Sequence, residues 1–184
     1  MILLVSHFVI YWVVSLLLML DDGDVQLPSQ NTLHSVLFNQ LVVNTMVFWV
    51  FPIGSESVSW LTIPVAYLIE EIGFYWMHRL FHCKLLYPIH KAHHAWITTL
   101  PYVALDCHPL EHLLVNLFPL LLGPYLFSWN YAYIHLWLVA ATFNTLSGHG
   151  KSMTNHHALH HRLQNVNYGI SRSMDLFFGT CSSV

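Results

Sequence analysis

Apolar residues fill five stretches of this chain, 1–20, 34–53, 58–77, 113–129 and 131–146, and polar or turn-forming residues separate them. Each of the first three is about as long as a helix must be to cross a hydrocarbon core of ~30 Å. The last two are shorter and read together as a helical hairpin, with Gly123 and Pro124 weakening its first arm. The breaks are of the expected kind. DDGDVQLPSQN, with Gly23 and Pro28, separates the first two stretches, and Pro52 and Gly54 end the second. Stretch 1–20 has neither a basic n-region nor a small-residue cleavage site before Asp21, which favours a retained anchor over a signal peptide. No repeat or low-complexity tract appears. The pattern predicts an all-α integral membrane protein with four to five transmembrane helices, as a single domain over 1–184 in which 1–33 form an extra N-terminal anchor and polar turn.

Composition agrees. With 55% hydrophobic and 8% charged residues and a mean hydropathy of +0.53, the chain has a membrane protein's make-up. All six basic residues, Arg79, Lys84, Lys91, Lys151, Arg162 and Arg172, fall inside or just beyond histidine-rich stretches. The positive-inside rule then puts these stretches on the cytosolic face, with the hairpin returning the chain to that side and the N-terminus opposite. No basic patch suits nucleic acid. Cys83, Cys107 and Cys181 form no CxxC pair and are odd in number, so reduced thiols are expected rather than a disulfide framework or a thiolate zinc site.

The histidines change the picture from a membrane protein to a metal protein. YWMHRLFHCKLLYPIHKAHH carries His78 with His82, then His90 with His93 and His94, and HALHH adds His157, His160 and His161. On a helix, residues three and four apart share a face with Cβ atoms about 5–6 Å apart, so each set would present its imidazoles in one direction. Eight imidazoles exceed the needs of one tetrahedral ion, and two ions with about three to five ligands each is the natural count. Without metal, eight packed histidines would repel when protonated and each would need partners when neutral. His7, His34 and His135, lone histidines on helices, read as ordinary surface or core residues. Imidazole suits zinc, copper, iron and nickel. A structural zinc site would normally use thiolates, whereas an all-imidazole pair of redox ions beside a lipid-facing cavity fits oxygen activation, because neutral ligands leave the ions' charge available to reduced oxygen.

EEIGFYWMHRLFH, IHKAHH, CHPLEHLLVNLFPLLLGP, and HALHH followed by NYG and DLFFGT resemble the fatty acid hydroxylase/sterol desaturase superfamily, closest to sterol C4-methyl oxidase-like members, over about 37–180. The resemblance implies a four-helix membrane stalk under a cytosolic histidine-rich cap in the endoplasmic reticulum. It implies two iron ions, with zinc possible in a purified sample, together with O2 and an external electron donor such as cytochrome b5 with its NAD(P)H-dependent reductase. It maps the family's metal ligands onto His78, His82, His90, His93, His94, His157, His160 and His161. The family's His-x-Gly element adds His149 as a further ligand, and its His-Pro-x-Glu element adds His108 as a ligand, a supporting group or a helix cap. The implied reaction is O2-dependent hydroxylation or desaturation of a lipid, with a sterol methyl group the first substrate and a sphingolipid or fatty acyl chain the alternative. A non-catalytic membrane protein keeping the boxes as a structural or regulatory metal site is the rival from another class.

Glu70 and Glu71 are the only charges in stretch 58–77, and carboxylates at that depth are functional candidates. Glu71 shares a helical stripe with Tyr75 and His78 but lies about 10 Å below His78, too far to ligate the same ion. Orienting Tyr75 or supporting a water network is its expected role. Asp106, Glu111, Asn144, Asn155, Asn165 and Asp175 are further possible acceptors for imidazole N–H groups.

Overall fold

In the computed structural model, residues 2–51, 53–55, 58–150 and 155–182 are described, and among them the chain is helical with no strand. Pro52, Lys151 and the side chain of Asn155 lie outside the described residues. The helices are α1 (Ile2–Asp21), α2 (Gln30–Val50), α3 (Thr62–Phe81), α4 (Tyr87–His90), α5 (109–126), α6 (Tyr131–Gly148), α7 (Asn155–Leu163) and α8 (Ser173–Phe178). Side-chain caps set several starts: Ser29 Oγ accepts from the Thr32 N–H at α2, and Asn130 Oδ1 accepts from the Ala132 N–H at α6.

Two of these helices are long and apolar enough to cross a bilayer, through Leu4–Asp21 and Gln30–Val50. The other three expected crossings are helical as well. In α3 the two glutamates and the histidine-arginine end dilute the apolar run, and in α5 a π-helical turn at His112–Leu117 and Pro124 interrupt it.

Packing pairs α1 with α6 and α3 with α5. The second contact is close because Gly123 of α5 meets Ala66 of α3, where a methyl on the glycine would lie 2.6 Å from the alanine Cβ. One core gathers Tyr11, Leu18, Val36, Val103 and Leu146, and the other gathers Val43, Ala66, Leu117, Leu121, Ile134 and Leu138. Tyr11 ties α1 to the loop beneath the site, donating to the Tyr102 carbonyl at 2.7 Å. The outward faces remain apolar: Val5, Val9, Val13 and Leu17 on α1, and Val65, Leu68, Ile72 and Trp76 on α3, are all exposed.

The first histidine pair lies at the end of α3 and the third set on α7, both helical as expected. The second set does not share one helix. The one-turn α4, with Pro88 as its second residue, stops at His90, and His93 and His94 follow on a separate 3₁₀ turn, His93–Ala95.

Candidate metal centre

Nine histidines converge in two adjoining groups: His78, His82, His90, His94 and His160 in one, and His93, His149, His157 and His161 in the other, with the potential ligand atoms of each group within 4.8 Å of one another. The two boxes are shared between the groups. His90 and His94 enter the first group while His93 enters the second; His157 and His161 enter the second while His160 enters the first. Successive residues of a helix are rotated by about 100°, so His160 and His161 diverge even as His157 and His161 align. The second and third sets therefore each face two ways, where the spacing alone predicts one direction, while His78 and His82 share a group as expected. Rings from opposite groups still touch, with His94 and His161 centroids 4.7 Å apart.

The first group suits an ion closely. Four of its Nε2 atoms form a closed ring: His82 to His160 3.1 Å, His160 to His94 3.1 Å, His94 to His90 2.9 Å and His90 to His82 3.0 Å. The centre of a square with such edges is about 2.1 Å from each corner, the length of a metal–imidazole bond. In the second group, His149 and His93 Nε2 are 3.4 Å apart and His161 and His157 Nε2 are 3.2 Å apart.

The outward nitrogens fix which atom faces the centre. His78 Nδ1 donates to the Tyr168 carbonyl at 2.8 Å, His160 Nδ1 to the Val166 carbonyl at 2.6 Å and His149 Nδ1 to the Thr145 carbonyl at 2.8 Å. A carbonyl only accepts, so each ring carries its proton on Nδ1 and turns the Nε2 lone pair inward. His90 Nδ1 lies 2.8 Å from Glu111 Oε1, both groups buried, a close approach without hydrogen-bond alignment. Burial raises the Glu111 carboxyl. A cation on His90 Nε2 would make the opposite N–H a stronger donor and favour the carboxylate.

Burial, and then neighbouring imidazoles, hold the cluster neutral. Desolvation brings His78 and His149 down to about 4, His94 to about 3 and His82 to about 2. It also lowers His90, His93, His157, His160 and His161 far below the ordinary range. Neutral imidazoles are the form that ligates, so the nine residues fit a pair of metal ions in count, distance and protonation.

A turn between α7 and α8 delivers two of the acceptors. Gln164 and Asn167 adopt left-handed conformations, at φ 63° and 60°, which fold the chain so that the Val166 and Tyr168 carbonyls reach the cluster. Asn167 Nδ2 donates to the His156 and Ser182 carbonyls. Buried Asp175 accepts from the backbone N–H of Tyr168 and Gly169, from Thr180 Oγ1 and from His156 Nε2. Burial pushes its carboxyl up, but these four donors outweigh that and hold it below the usual carboxylate range.

The other expected residues fall as follows. His108 is exposed and caps α5, its Nδ1 accepting from the Leu110 N–H at 3.1 Å, so it is a helix cap outside both groups. Glu71 neither ligates nor orients Tyr75; it accepts from Ser171 Oγ at 2.7 Å and the Ser171 N–H at 3.0 Å, anchoring the segment before α8. Tyr75 is held instead by Arg79 Nη1 at 2.9 Å and Thr180 Oγ1 at 3.1 Å. Asp106 accepts from Trp96 Nε1, Asn165 is exposed, and Asn144 lines a cavity. His7 and His135 pack edge to face at 5.2 Å, outside both groups, and His34 is exposed. All three cysteines are free.

That cavity, of about 310 Å3, opens directly from the histidines. Its wall includes His78, His90, His93, His149 and His157, and then Phe48, Leu120, Leu121 and Leu138. His112 and Asn116, which lie within the CHPLEHLLVNLFPLLLGP segment but are singled out by no spacing, and Asn44 line it as well.

Residues 63–180 match the model of the fatty acid hydroxylase family. The chain is 30% identical over 171 residues to human fatty acid hydroxylase domain-containing protein 2, covering 82% of this chain and 51% of that protein. It is 31% identical over 149 residues to methylsterol monooxygenase 2-2 of Arabidopsis thaliana, covering 71% and 56%, and 32% identical over 127 residues to a Delta(7)-sterol 5(6)-desaturase of Gibberella zeae, covering 60% and 39%. The chain thus spans about half the length, or less, of these relatives. No solved structure matches it. The chain belongs to the fatty acid hydroxylase family.

Proposed function

We propose that this protein is a membrane-bound non-haem di-iron oxygenase that hydroxylates, or desaturates, a C–H bond of a lipid, with a sterol methyl group as first substrate. The observation that carries this reading is the opening of two all-imidazole groups onto a largely apolar cavity. His78, His82, His90, His94 and His160 would hold one iron, and His93, His149, His157 and His161 the other. When bound, the irons supply the redox chemistry that reduces O2 and oxidises the C–H bond. Hydroxylation consumes O2, two electrons and two protons and yields the alcohol and one water; desaturation removes a second hydrogen and yields two waters.

The chain's own contribution is to fix and to exclude. The carbonyls of Thr145, Val166 and Tyr168 hold three rings in the ligating tautomer, and the Glu111 carboxyl stands beside a fourth, His90. Phe48, Leu120, Leu121 and Leu138 give the substrate a dry, apolar wall, which orients it and keeps bulk water from the reacting carbon. Sterol oxidation is supported by the names of two relatives. An acyl or sphingolipid substrate is the second reading, supported by the family's own description.

The exposed apolar faces of α1 and α3 support a chain embedded in the bilayer as one unit over 1–184, with α3, α5 and α6 crossing beside the two long N-terminal helices. The basic residues near the histidines favour a cytosolic cap, in the endoplasmic reticulum, served by an electron carrier of the cytochrome b5 type. Metal analysis of the detergent-extracted protein tests the whole reading. Two irons per chain, with lipid-dependent O2 consumption when reductant is supplied, are expected. Stoichiometric zinc without turnover would overturn it in favour of a structural metal site. Within the same assay His93→Ala and His160→Ala lose metal while His7→Ala keeps it, and sterol and fatty acid profiles of expressing cells separate the two substrate classes.

A further inference from the structure

Two π-helical turns face the cavity, Asn39–Val43 in α2 and His112–Leu117 in α5, and they touch each other. A π turn inserts an extra residue and turns side chains off the regular helical face, and such turns are frequent at functional sites. At this meeting point His112, almost fully buried, lies between two asparagines. Its Nε2 is 2.8 Å from Asn44 Oδ1, and its Nδ1 is 3.3 Å from Asn116 Nδ2.

The hydrogen-bond inventory fixes every atom of this row. Asn44 Oδ1 can only accept, so His112 carries its proton on Nε2. Its Nδ1 then accepts, and Asn116 Nδ2 donates to it. What each asparagine has left is determined: Asn44 keeps an amide N–H pair, and Asn116 keeps one N–H and a carbonyl oxygen with two lone pairs. Gln40, one turn before Asn44, has its Oε1 taken by Trp12 Nε1 at 3.1 Å and so also turns N–H groups outward. Gln40, Asn44 and Asn116 all line the cavity that holds the histidines.

We propose that Asn44 and Asn116 form a subsite for one hydroxyl group, so that the substrate is a lipid alcohol, an otherwise apolar molecule anchored by its hydroxyl while a C–H bond elsewhere in it meets the histidine groups. A hydroxyl both donates and accepts, and the pair offers it the Asn44 N–H groups to accept from and the Asn116 oxygen to donate to. A carboxylate would meet the Asn116 oxygen lone pairs unfavourably, and a hydrocarbon would leave both amides unsatisfied, the mismatch that buried polar groups reject most strongly. Sharing one cavity with the metal ligands makes this a specificity determinant for the reaction proposed above, on which the inference rests.

Equilibrium binding of a tritiated 3-hydroxysterol and of its 3-methyl ether to the detergent-extracted, iron-loaded full chain tests it. The alcohol is expected to bind about threefold to tenfold more tightly than the ether, which keeps the acceptor oxygen but has no proton to donate to Asn116. Asn116→Ala should weaken the alcohol about threefold to tenfold and leave the ether unchanged, Asn44→Ala should weaken both, since either oxygen accepts from its N–H, and Phe48→Leu on the apolar wall should weaken both alike. Equal binding of alcohol and ether, or displacement of the alcohol by a free fatty acid at lower concentration than by a second hydroxysterol, would overturn the subsite and leave the oxygenase reading in place. A preference for the alcohol in a chain that holds no iron would do the reverse. If the alanine variants lose their iron, the comparison of alcohol with ether in the unsubstituted chain decides alone.

Discussion

At the scale of single residues, the difference between a histidine poised to hold a metal and one that merely sits nearby lies in its second nitrogen. His90 turns Nδ1 to Glu111 at 2.8 Å and Nε2 into the ring, whereas His108 spends Nδ1 on a helix cap at the surface. Removing the partner of a ligating imidazole typically weakens metal binding about 10- to 100-fold. Glu111→Gln, which keeps an acceptor, should fall near the lower end of that range and Glu111→Ala near the upper, as read by chelator competition. His108→Ala should leave metal affinity unchanged and lower stability by about 1 kcal/mol, the usual cost of a lost cap. Unchanged affinity in Glu111→Ala would remove that residue from the site. Eight of the nine converging histidines are legible from spacing alone, and His149 only through its resemblance to a family element. The acceptors of Thr145, Val166 and Tyr168 are illegible because every residue has a carbonyl, and only the fold decides which ones face a ring.

At the scale of elements, helices were easier to foresee than their interruptions. The apolar runs mark α1, α2, α3, α5 and α6 to within a few residues, yet the π turns at Asn39–Val43 and His112–Leu117 have no composition of their own. The second histidine set keeps helical spacing in sequence but is split between α4, which stops at His90, and a 3₁₀ turn, and the split sends His90 and His94 to one histidine group and His93 to the other. Gly123 is a similar case: it reads as a weak point in a helix, and in the fold it is the closest approach of α5 to α3. Gly123→Ala would put a methyl 2.6 Å from Ala66 Cβ and 2.8 Å from its Cα. Overpacking of this kind costs about 1–3 kcal/mol. The variant should therefore melt earlier in detergent, and adding Ala66→Gly should recover part of the loss, since only the first of those two contacts is relieved. Full stability in Gly123→Ala would mean that the helices slide apart freely.

For the molecule as a whole, the histidine groups couple metal loading and folding to pH in one direction. Each ring has its pKa lowered by burial, with His78 and His149 at about 4, His94 at about 3 and His82 at about 2. In the unfolded chain the same rings titrate near 6.5. Between these values the unfolded state binds more protons than the folded one, so stability falls as pH drops below about 6.5, by up to about 1.4 kcal/mol per pH unit for each ring. Asp175 acts with the same sign further down, because its depressed carboxyl contributes stability above the ordinary aspartate range that is lost as pH falls through its folded value. A bound ion steepens the loss, since protons compete with it for every lone pair. Metal release and the loss of helical signal should therefore begin together below about pH 6.5 and complete over a narrow range, steeper than one titrating group allows. The chelated, metal-free protein should show the same direction of change with a shallower slope. Stability that is flat from pH 7 to pH 5 would mean that the nine rings are wetted, and that no dry metal-binding core exists between these helices.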